Sequence, residues 1–388
     1  MVNFDYHTPT RLIFGKGVVE KLPEVMAQFG PRVLLTYGGG SIKRSGLYDK
    51  VIALLKDKQI TELSGIQPNP KYDPSVLEGV RLCKENNIDV ILSVGGGSAL
   101  DCSKAIAAGA KYDGDPWDLI SYKVKAKEAL PIVDIITMAA TGSEYDAGGV
   151  ISRTETNDKI GYLDPVLYPA VSFIDPTYTF TVPERQTKAG VADCINHIME
   201  QYFCGEHIEL NDAFMEGAIK SIMKNTYKVL KNPEDYEARA EIFYTTTLGC
   251  NGIYSLGNSP SGWPMHGIEH ALSAYYDITH GEGLAIVTPR WMKHILNDKT
   301  IERFVAFGTG VFGIDPTLPE KEIAEKAIQS IYDFYKGIGM PMTLPEVGID
   351  GSRLSEIAHH IAVNEGLENA WAPLNEDDIL AILKDCLK

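Results

Sequence analysis

The sequence predicts an α/β domain built on a parallel sheet, followed by a mainly helical domain. Short apolar runs alternate with helical stretches in the first half of the chain, whereas helical apolar spacing dominates the second half. The length supports two domains, because hydrophobic cores stop growing near ~250–300 residues and this chain has 388. We therefore expect an α/β domain over residues 1–180 and a helical domain over residues 181–388.

Five apolar runs in the first half predict strands, at 32–37, 61–66, 89–94, 131–137 and 171–175. Nearly continuous apolar runs are typical of strands that are buried on both faces of a parallel sheet. Helical stretches at 47–55 and 76–85 separate the first three runs, and another follows residue 97. This alternation predicts a doubly wound sheet.

The second half predicts long helices, at 187–203, 210–230, 236–248, 301–307, 320–337 and 376–387. Strand patterns become scarce after about Pro183, so we place the boundary near residue 180. Element boundaries read from sequence are uncertain by a few positions.

The charge and cysteine content exclude several classes of protein. Lys and Arg total 36 against 52 Asp and Glu, a net charge of −16 that disfavours binding to nucleic acid or to anionic membranes. No apolar run approaches the ~20 residues of a membrane span, and the amino terminus lacks the pattern of a secretory signal. Six cysteines without CxxC pairing are typical of reduced thiols, so we expect a cytoplasmic protein.

Two glycine-rich segments follow predicted strands. Gly95-Gly96-Gly97-Ser98 and Gly38-Gly39-Gly40-Ser41 stand where parallel strands should end, which is where open α/β sheets bind ligands. Glycine allows close backbone approach, and free N–H groups at a helix start attract phosphate. The first segment is not the GxGxxG fingerprint, because Leu100 replaces the third glycine. A tight turn with Ser98 or Asp101 as helix cap is the alternative.

Hydroxyl side chains follow another predicted strand. The segment Thr137-Met138-Ala139-Ala140-Thr141-Gly142-Ser143-Glu144 could bind a cofactor through these hydroxyls. Ser and Thr after a strand more often cap the next helix. The segment by itself is therefore only a weak indication of cofactor binding.

The histidines suggest a metal site. Asp193 and His197 are four residues apart on a predicted helix and so share one face, and His266 and His270 repeat that spacing. His280 follows closely. A divalent ion needs three or four N or O ligands from neighbouring elements. Either pair alone is better explained as an ion pair or a core contact, but the combination favours a metal site.

These motifs jointly resemble one family. Gly95-Gly96-Gly97-Ser98 with Asp101 and Lys104, Pro68-Asn69-Pro70, Thr141-Gly142-Ser143-Glu144 and the Asp193/His197/His266/His270/His280 set have counterparts in the iron-dependent (group III) alcohol dehydrogenases, especially the butanol dehydrogenase and broad-range aldehyde reductase branch. The resemblance spans the whole chain. It implies a dehydroquinate synthase-like fold, with a nucleotide-binding α/β domain, a helical metal-binding domain and an active site in the cleft between them.

The resemblance also implies the site residues. The metal ligands would be Asp193, His197, His266 and His280, and His270 would lie near the nicotinamide. The remaining cofactor-binding positions would be the pyrophosphate-binding Gly96, Gly97 and Ser98, together with Gly38, Gly39, Ser41, Asn69, Asp101, Thr137, Thr141, Val150 and Lys159.

The cofactor, the metal and the substrate follow as expectations. An acidic side chain after the first strand favours NAD over NADP, but Gly38-Gly39-Gly40-Ser41 has none. We therefore expect a preference for NADP(H), with NAD possible. Three imidazoles and a carboxylate suit Fe(II) but also Zn(II). The resemblance implies hydride transfer between the cofactor and a primary alcohol or aldehyde such as butanol or butanal, His270 as a proton relay, and a homodimer.

Two further functions compete with this interpretation. A glycerol dehydrogenase or a dehydroquinate synthase-like lyase would share the architecture, but both use different ligand sets. A non-catalytic nucleotide-binding scaffold would need no complete set of metal ligands. The presence of all four candidate ligands argues against both alternatives.

Overall fold

The computed structural model describes residues 1–205 and 207–388 and divides them into two compact units. We call the first the sheet unit, which comprises His7–Pro183 and Asn232–Asn251. The second is the helical unit, which comprises Met1–Tyr6, Glu184–Lys231 and Gly252–Lys388. A single cut near residue 180, as the sequence predicts, would assign Asn232–Asn251 to the other unit. This segment belongs with the sheet because its Phe243 is part of the same buried cluster as Ile136.

The sheet unit is built on six parallel strands in the order β1-β8-β5-β4-β2-β3, with a separate antiparallel hairpin β6–β7. The strands are β1 Arg11–Phe14, β2 Arg32–Thr36, β3 Gln59–Leu63, β4 Val90–Gly95, β5 Ile132–Ile136, β6 Gly148–Arg153, β7 Asp158–Leu163 and β8 Val171–Ile174. Every residue of β4, β5 and β8 is buried. The predicted fold class is therefore confirmed.

Helices cover both faces of this sheet. They are α1 Leu22–Met26, α2 Ser41–Arg44, α3 Leu47–Leu54, α4 Leu77–Glu85, α5 Gly97–Gly109, α6 Trp117–Ile120 and α9 Tyr236–Gly249. Alternate strand residues enter two separate cores: Leu34 and Ile91 belong to one, whereas Val33, Leu35 and Val90 belong to the other. This alternation follows from the two-residue period of a strand and explains the continuous apolar runs.

The helical unit contains the remaining long helices. They are α7 Glu184–Tyr202, α8 Glu209–Lys231, α10 Pro264–Tyr276, α11 His280–Ile295, α12 Ile301–Phe312, α13 Glu320–Gly337, α14 Leu354–Asn364 and α15 Glu376–Asp385. From Ala189 to its end, α7 is entirely buried, so it forms the centre of this unit. Within residues 1–205 and 207–388, no helix combines the length and apolarity needed to cross a bilayer.

The sequence does not predict strand β1, hairpin β6–β7 or helices α10, α11 and α14. Strand β1 is only four residues long, and hairpin β6–β7 contains Gly148, Gly149 and Gly161, which weaken a strand pattern. Helix α11 carries glycines near its start and Pro289 in its interior, which disguise its helical period.

Candidate metal centre and nucleotide site

Three helices of the helical unit bring four predicted ligands together. Helix α7 carries Asp193 and His197 four residues apart on one face, α10 carries His266, and α11 begins at His280. The imidazole Nε2 atoms of His197, His280 and His266 lie 3.2, 3.5 and 3.7 Å from Asp193 Oδ1. The ligand atoms of Asp193, His266 and His280 are all within 4.8 Å of one another, and His197 adjoins them through Asp193.

This arrangement fits a single divalent ion. Ligand atoms about 2.1 Å from a tetrahedral metal are separated from each other by ~3.4 Å, close to the distances around Asp193. Asp193 Oδ1 and His266 Nε2 are buried, and neither has a hydrogen-bond partner in the described part of the chain. Buried polar atoms are rarely left unpaired without a reason, and a cation among these four donors supplies one.

Burial and mutual contact shift the pKa values of these groups. Burial alone would raise the pKa of Asp193, but the imidazoles of His197, His280 and His266 bring it well below its ordinary value. Burial lowers the pKa of His197 to about 4. Burial also opposes charge on His266, but the nearby carboxylates of Asp193 and Glu200 raise its pKa to about 9. The two histidines move in opposite directions because only His266 contacts a second carboxylate.

Glycines allow α11 to approach its neighbours. A Cβ on Gly281 would lie 2.0 Å from the carbonyl oxygen of Ala189 in α7, and a Cβ on Gly283 would lie 2.7 Å from Cγ of Glu269 in α10. Only glycine can occupy such positions. The close contacts bring His280, which directly precedes Gly281, to the centre formed by α7 and α10.

Two carboxylates that sequence analysis missed lie behind the ligands. Glu200 Oε1 is 3.3 Å from His266 Nδ1, and Glu269 Oε2 contacts His280 Nδ1. Glu200 follows His197 by three residues, and Glu269 follows His266 by three residues. This repeated spacing places each glutamate on the same helix face as a candidate ligand and could have indicated their role. Metal-bound imidazoles commonly donate their second N–H to a carboxylate in this way.

Two other side chains border the centre. His270 is half-buried, and its ring centroid is 5.4 Å from that of His280 and 6.0 Å from that of His266. The Trp263 ring centroid is 5.8 Å from that of His197 and 5.2 Å from that of His266. His270 is not in the group around Asp193, but a nitrogen of its ring lies within 4.8 Å of ligand atoms of Glu269 and His280, a second group that could hold a metal ion.

The glycine-rich turns lie together at one edge of the sheet. Strands β5, β4 and β2 are parallel neighbours, so the segments that follow them share the carboxyl edge. These segments contain the predicted cofactor residues Thr137 and Thr141, Gly96, Gly97 and Ser98, and Gly38, Gly39 and Ser41. Such an edge is where open α/β sheets bind nucleotides.

The start of α5 can accommodate a phosphate. Its N-cap residue is Gly96, and no side chain caps the first turn, so backbone N–H groups there remain for an anion. A Cβ on Gly97 would lie 2.5 Å from Oγ1 of Thr141. Glycine is therefore required where the backbone passes closest to the Thr141 side chain.

Asp101 is already bound inside the sheet unit. Its Oδ1 accepts a 2.7 Å hydrogen bond from Ser143 Oγ, and its Oδ2 accepts a 3.0 Å bond from the Val150 N–H. Burial raises the pKa of Asp101 to about 6. These bonds attach hairpin β6–β7 to α5, so Asp101 has a structural role, and its contact with a cofactor stays a prediction.

The other two predicted cofactor residues lie elsewhere in the sheet unit. Lys159 is buried on β7 opposite Ser152 of β6. Asn69 is half-buried and adopts a positive φ of 48°, a conformation that asparagine tolerates better than most residues. Both assignments stay predictions.

The helical unit holds three imidazoles and one carboxylate close together, and the sheet unit has glycine-rich turns at the carboxyl edge of its parallel strands. This combination is typical of an enzyme that uses a metal ion and a nucleotide cofactor. Two family models match this chain: Iron-containing alcohol dehydrogenase over residues 9–176, and the C-terminal domain of the Fe-containing alcohol dehydrogenase family over residues 187–387. The chain belongs to the iron-containing alcohol dehydrogenase family and is an oxidoreductase.

Several related proteins match this chain over nearly its whole length. NADH-dependent butanol dehydrogenase A of Clostridium acetobutylicum is 46% identical over 99% of each chain. An NADPH-dependent aldehyde reductase of Escherichia coli is 37% identical over 91% of each chain. The crystal structure of NADH-dependent butanol dehydrogenase A from Thermotoga maritima matches with a TM-score of 0.96 at 39% identity, covering 100% of this chain and 99% of the other. The predicted family is confirmed.

Proposed function

We propose that this protein is a metal-dependent alcohol dehydrogenase and aldehyde reductase that transfers hydride between NADP(H) and a primary alcohol or aldehyde such as butanol or butanal. One observation carries the proposal beyond family membership: three imidazole Nε2 atoms surround the unpaired Oδ1 of a buried carboxylate at 3.2–3.7 Å. The names of the Clostridium and Escherichia relatives support the substrate class.

Each group in the proposed site has a separate role. Asp193, His197, His266 and His280 would hold a divalent ion, which supplies Lewis acidity at the substrate oxygen. The nicotinamide cofactor supplies or accepts the hydride. The backbone at Gly96 and Gly97 and the start of α5 would bind its pyrophosphate, as the uncapped N–H groups there favour. The sheet unit thus positions the cofactor and the helical unit activates the substrate.

His270 is the proposed proton relay. Its half-buried ring stands beside those of His280 and His266, and imidazole is the side chain that most often transfers protons in enzymes. We expect His270→Ala to lower kcat by about 100-fold and to remove a histidine limb from the pH–rate profile. An unchanged rate and pH profile would rule the relay out.

The preference for NADP(H) rests on residues of the sheet unit. No carboxylate occurs in Gly38–Ser41 after β2, and the Lys43 and Arg44 side chains are exposed beside it. The nearby Glu62 carboxylate accepts hydrogen bonds of 2.6 Å from the hydroxyls of Tyr37 and Tyr48. An adenosine 2′-phosphate would find the Lys43 and Arg44 cations and the Ser41 hydroxyl near this turn.

The names of the relatives include both NADH and NADPH, so the cofactor preference of this protein has to be measured by steady-state kinetics. We expect kcat/KM to be higher with NADPH than with NADH. Lys43→Ala should lower the NADPH value by about 10-fold and leave the NADH value nearly unchanged, because a charge-assisted hydrogen bond contributes ~1.5–3 kcal/mol. A clear preference of the unmodified protein for NADH would contradict the proposal.

The native metal is proposed to be Fe(II), as the family name indicates. Nitrogen and oxygen donors of this kind also bind Zn(II), so affinity alone does not select iron. We also propose a cytoplasmic homodimer. In the described part of the chain none of the six cysteines forms a disulfide, which supports a reducing compartment. Light scattering of the purified protein tests the dimer.

The function is tested by NADPH oxidation with butanal, using anaerobically purified protein before and after chelation. We expect chelation to abolish turnover and Fe(II) or Zn(II) to restore it. Glu356→Gln, which removes an exposed carboxylate paired with Arg353, serves as a control that should respond to chelation like the unmodified protein. Full activity in metal-free protein would contradict the proposal.

A further inference from the structure

The three imidazoles of the candidate centre are supported differently. His266 Nδ1 lies 3.3 Å from Glu200 Oε1, and the same oxygen accepts a 2.9 Å hydrogen bond from the His266 backbone N–H. His280 Nδ1 contacts Glu269 Oε2, and the Ser273 hydroxyl donates to the other oxygen of that carboxylate. Glu200 and Glu269 are both buried, with 2% and 0% of their surface exposed.

These contacts determine which imidazole nitrogen carries a proton. A carboxylate next to Nδ1 favours the tautomer with N–H at that position, because the carboxylate can only accept. The lone pair is then on Nε2. In both histidines Nε2 is the atom that faces Asp193 Oδ1, at 3.7 Å for His266 and 3.5 Å for His280. Each glutamate therefore presents its histidine in the form that a cation binds.

His197 provides an internal contrast. Its buried Nδ1 has no hydrogen-bond partner within residues 1–205 and 207–388. Its ring instead stacks on that of His266, with centroids 4.8 Å apart and planes 9° apart, and contacts the Trp263 ring. Ring packing takes the place of a carboxylate on the Nδ1 side of this ligand, whereas buried carboxylates contact Nδ1 of the other two.

We propose that Glu200 and Glu269 are positioning residues of the metal centre. They fix the tautomer and the ring orientation of His266 and His280 and, with Asp193, give the site three carboxylates that favour a divalent cation. The inference rests on the proposed metal site. Glu269 should matter more, because the His280 side chain is 23% exposed and has less packing to hold it than His266, at 7%.

The test measures Co(II) affinity by chelator competition, together with the visible absorption of the Co(II) protein. Removing a carboxylate behind a metal ligand weakens binding by about 10- to 100-fold. We expect that loss and a shifted spectrum for Glu269→Ala, a smaller loss for Glu200→Ala, and partial rescue in Glu269→Gln and Glu200→Gln, since the amide oxygen can still accept from Nδ1. Ser273→Ala, which removes only the hydroxyl bonded to Glu269, should weaken binding by about 2- to 5-fold.

A matched control separates positioning from general stability. Asp212 is a buried carboxylate of the same unit that binds Arg303 at 2.7 and 2.9 Å. Asp212→Asn should lower thermal stability without changing Co(II) affinity or the spectrum. If the glutamate variants and Ser273→Ala bind Co(II) like the unmodified protein, the positioning role is wrong. If the unmodified protein binds no Co(II), the proposed metal site itself fails.

Discussion

Each unit buries a charged cluster, and the two clusters differ in whether their own groups satisfy one another. In the sheet unit, Lys104 is fully buried and its Nζ lies within 3.0 Å of four oxygens, from Ser143, Asp146 and Gly148. In the helical unit, Asp193 Oδ1 faces three imidazoles yet has no hydrogen-bond partner in the described chain. A saturated cluster, in which every charged group has its hydrogen-bond partners, stabilises a fold. An unsaturated cluster, in which a charged atom has none, is suited to bind a ligand.

The pKa shifts show the same contrast. In the sheet unit, burial raises the pKa of Glu144 to about 7, and it raises that of Asp134 well above its ordinary value. In the helical unit, the imidazoles outweigh burial and lower the pKa of Asp193. Asp193 is thus kept ionised, as a metal ligand must be, while burial favours the neutral forms of Glu144 and Asp134.

The largest expected effect comes from breaking the unsaturated cluster. Asp193→Asn removes the anion at its centre, so we expect the bound metal to be lost and kcat/KM for butanal reduction to fall by about 1,000-fold or more, since the metal contributes several kcal/mol. Elemental analysis measures the bound metal, and steady-state kinetics measure kcat/KM. Retained metal with full turnover would show that the ion does not depend on Asp193.

The next effect comes from breaking the saturated cluster. Lys104→Met leaves Asp146 and three buried carbonyl oxygens without their cation, and removing one partner of a buried ion pair costs about 3–5 kcal/mol. We expect a strong fall in melting temperature with unchanged Co(II) affinity. Lys123→Met is the matched control, because Lys123 pairs with Asp118 in an exposed position and should have little effect. Equal melting temperatures for the two variants would refute the structural role of Lys104.

A smaller effect depends on pH. Burial, and the nearby Asp146, raise the pKa of Glu144 from 4.5 to about 7. The folded state therefore binds a proton more tightly than the unfolded state. The stability that this provides is fully present below pH 4.5 and is lost as pH rises through 7.

Glu144→Gln isolates this contribution. Glutamine can still accept the hydrogen bond from the Thr247 hydroxyl, so the variant should keep its fold. It should lose the pH-dependent part of the free energy of unfolding, which is on the order of 3 kcal/mol. Denaturant unfolding at several pH values, compared with the unmodified protein, measures the difference. Parallel curves for the two proteins would contradict the shifted pKa.

Much of the fold could be predicted from sequence because local signals agreed with the tertiary structure. The apolar runs of β4 and β5 and the helical spacing of α7 and α13 reflect burial directly. Helix α11 was hidden because packing against α7 requires Gly281, which lowers helix propensity. Segment Asn232–Asn251 could not be assigned to the sheet unit, since nothing local to the chain indicates where Phe243 packs.

The candidate site was predictable where residue type and spacing coincided. The spacing of Asp193 and His197 on one helix face indicated a shared site, but bringing His266 and His280 to it depends on how three helices pack. Glu200 and Glu269 escaped notice because a glutamate on a helix is ordinarily a surface residue. Their burial behind imidazoles is visible only in three dimensions.

We expect the donors around Asp193 to form a divalent-cation site that the helical unit leaves unsatisfied. The most direct measurement is the melting temperature of metal-free protein as Fe(II) or Zn(II) is added, with the bound ion counted. We predict about one ion per chain and a rise in melting temperature that corresponds to about 4 kcal/mol at a thousand times the Kd. The rise should be absent in Asp193→Asn. No stoichiometric binding by the unmodified protein, or an equal rise in Asp193→Asn, would contradict it.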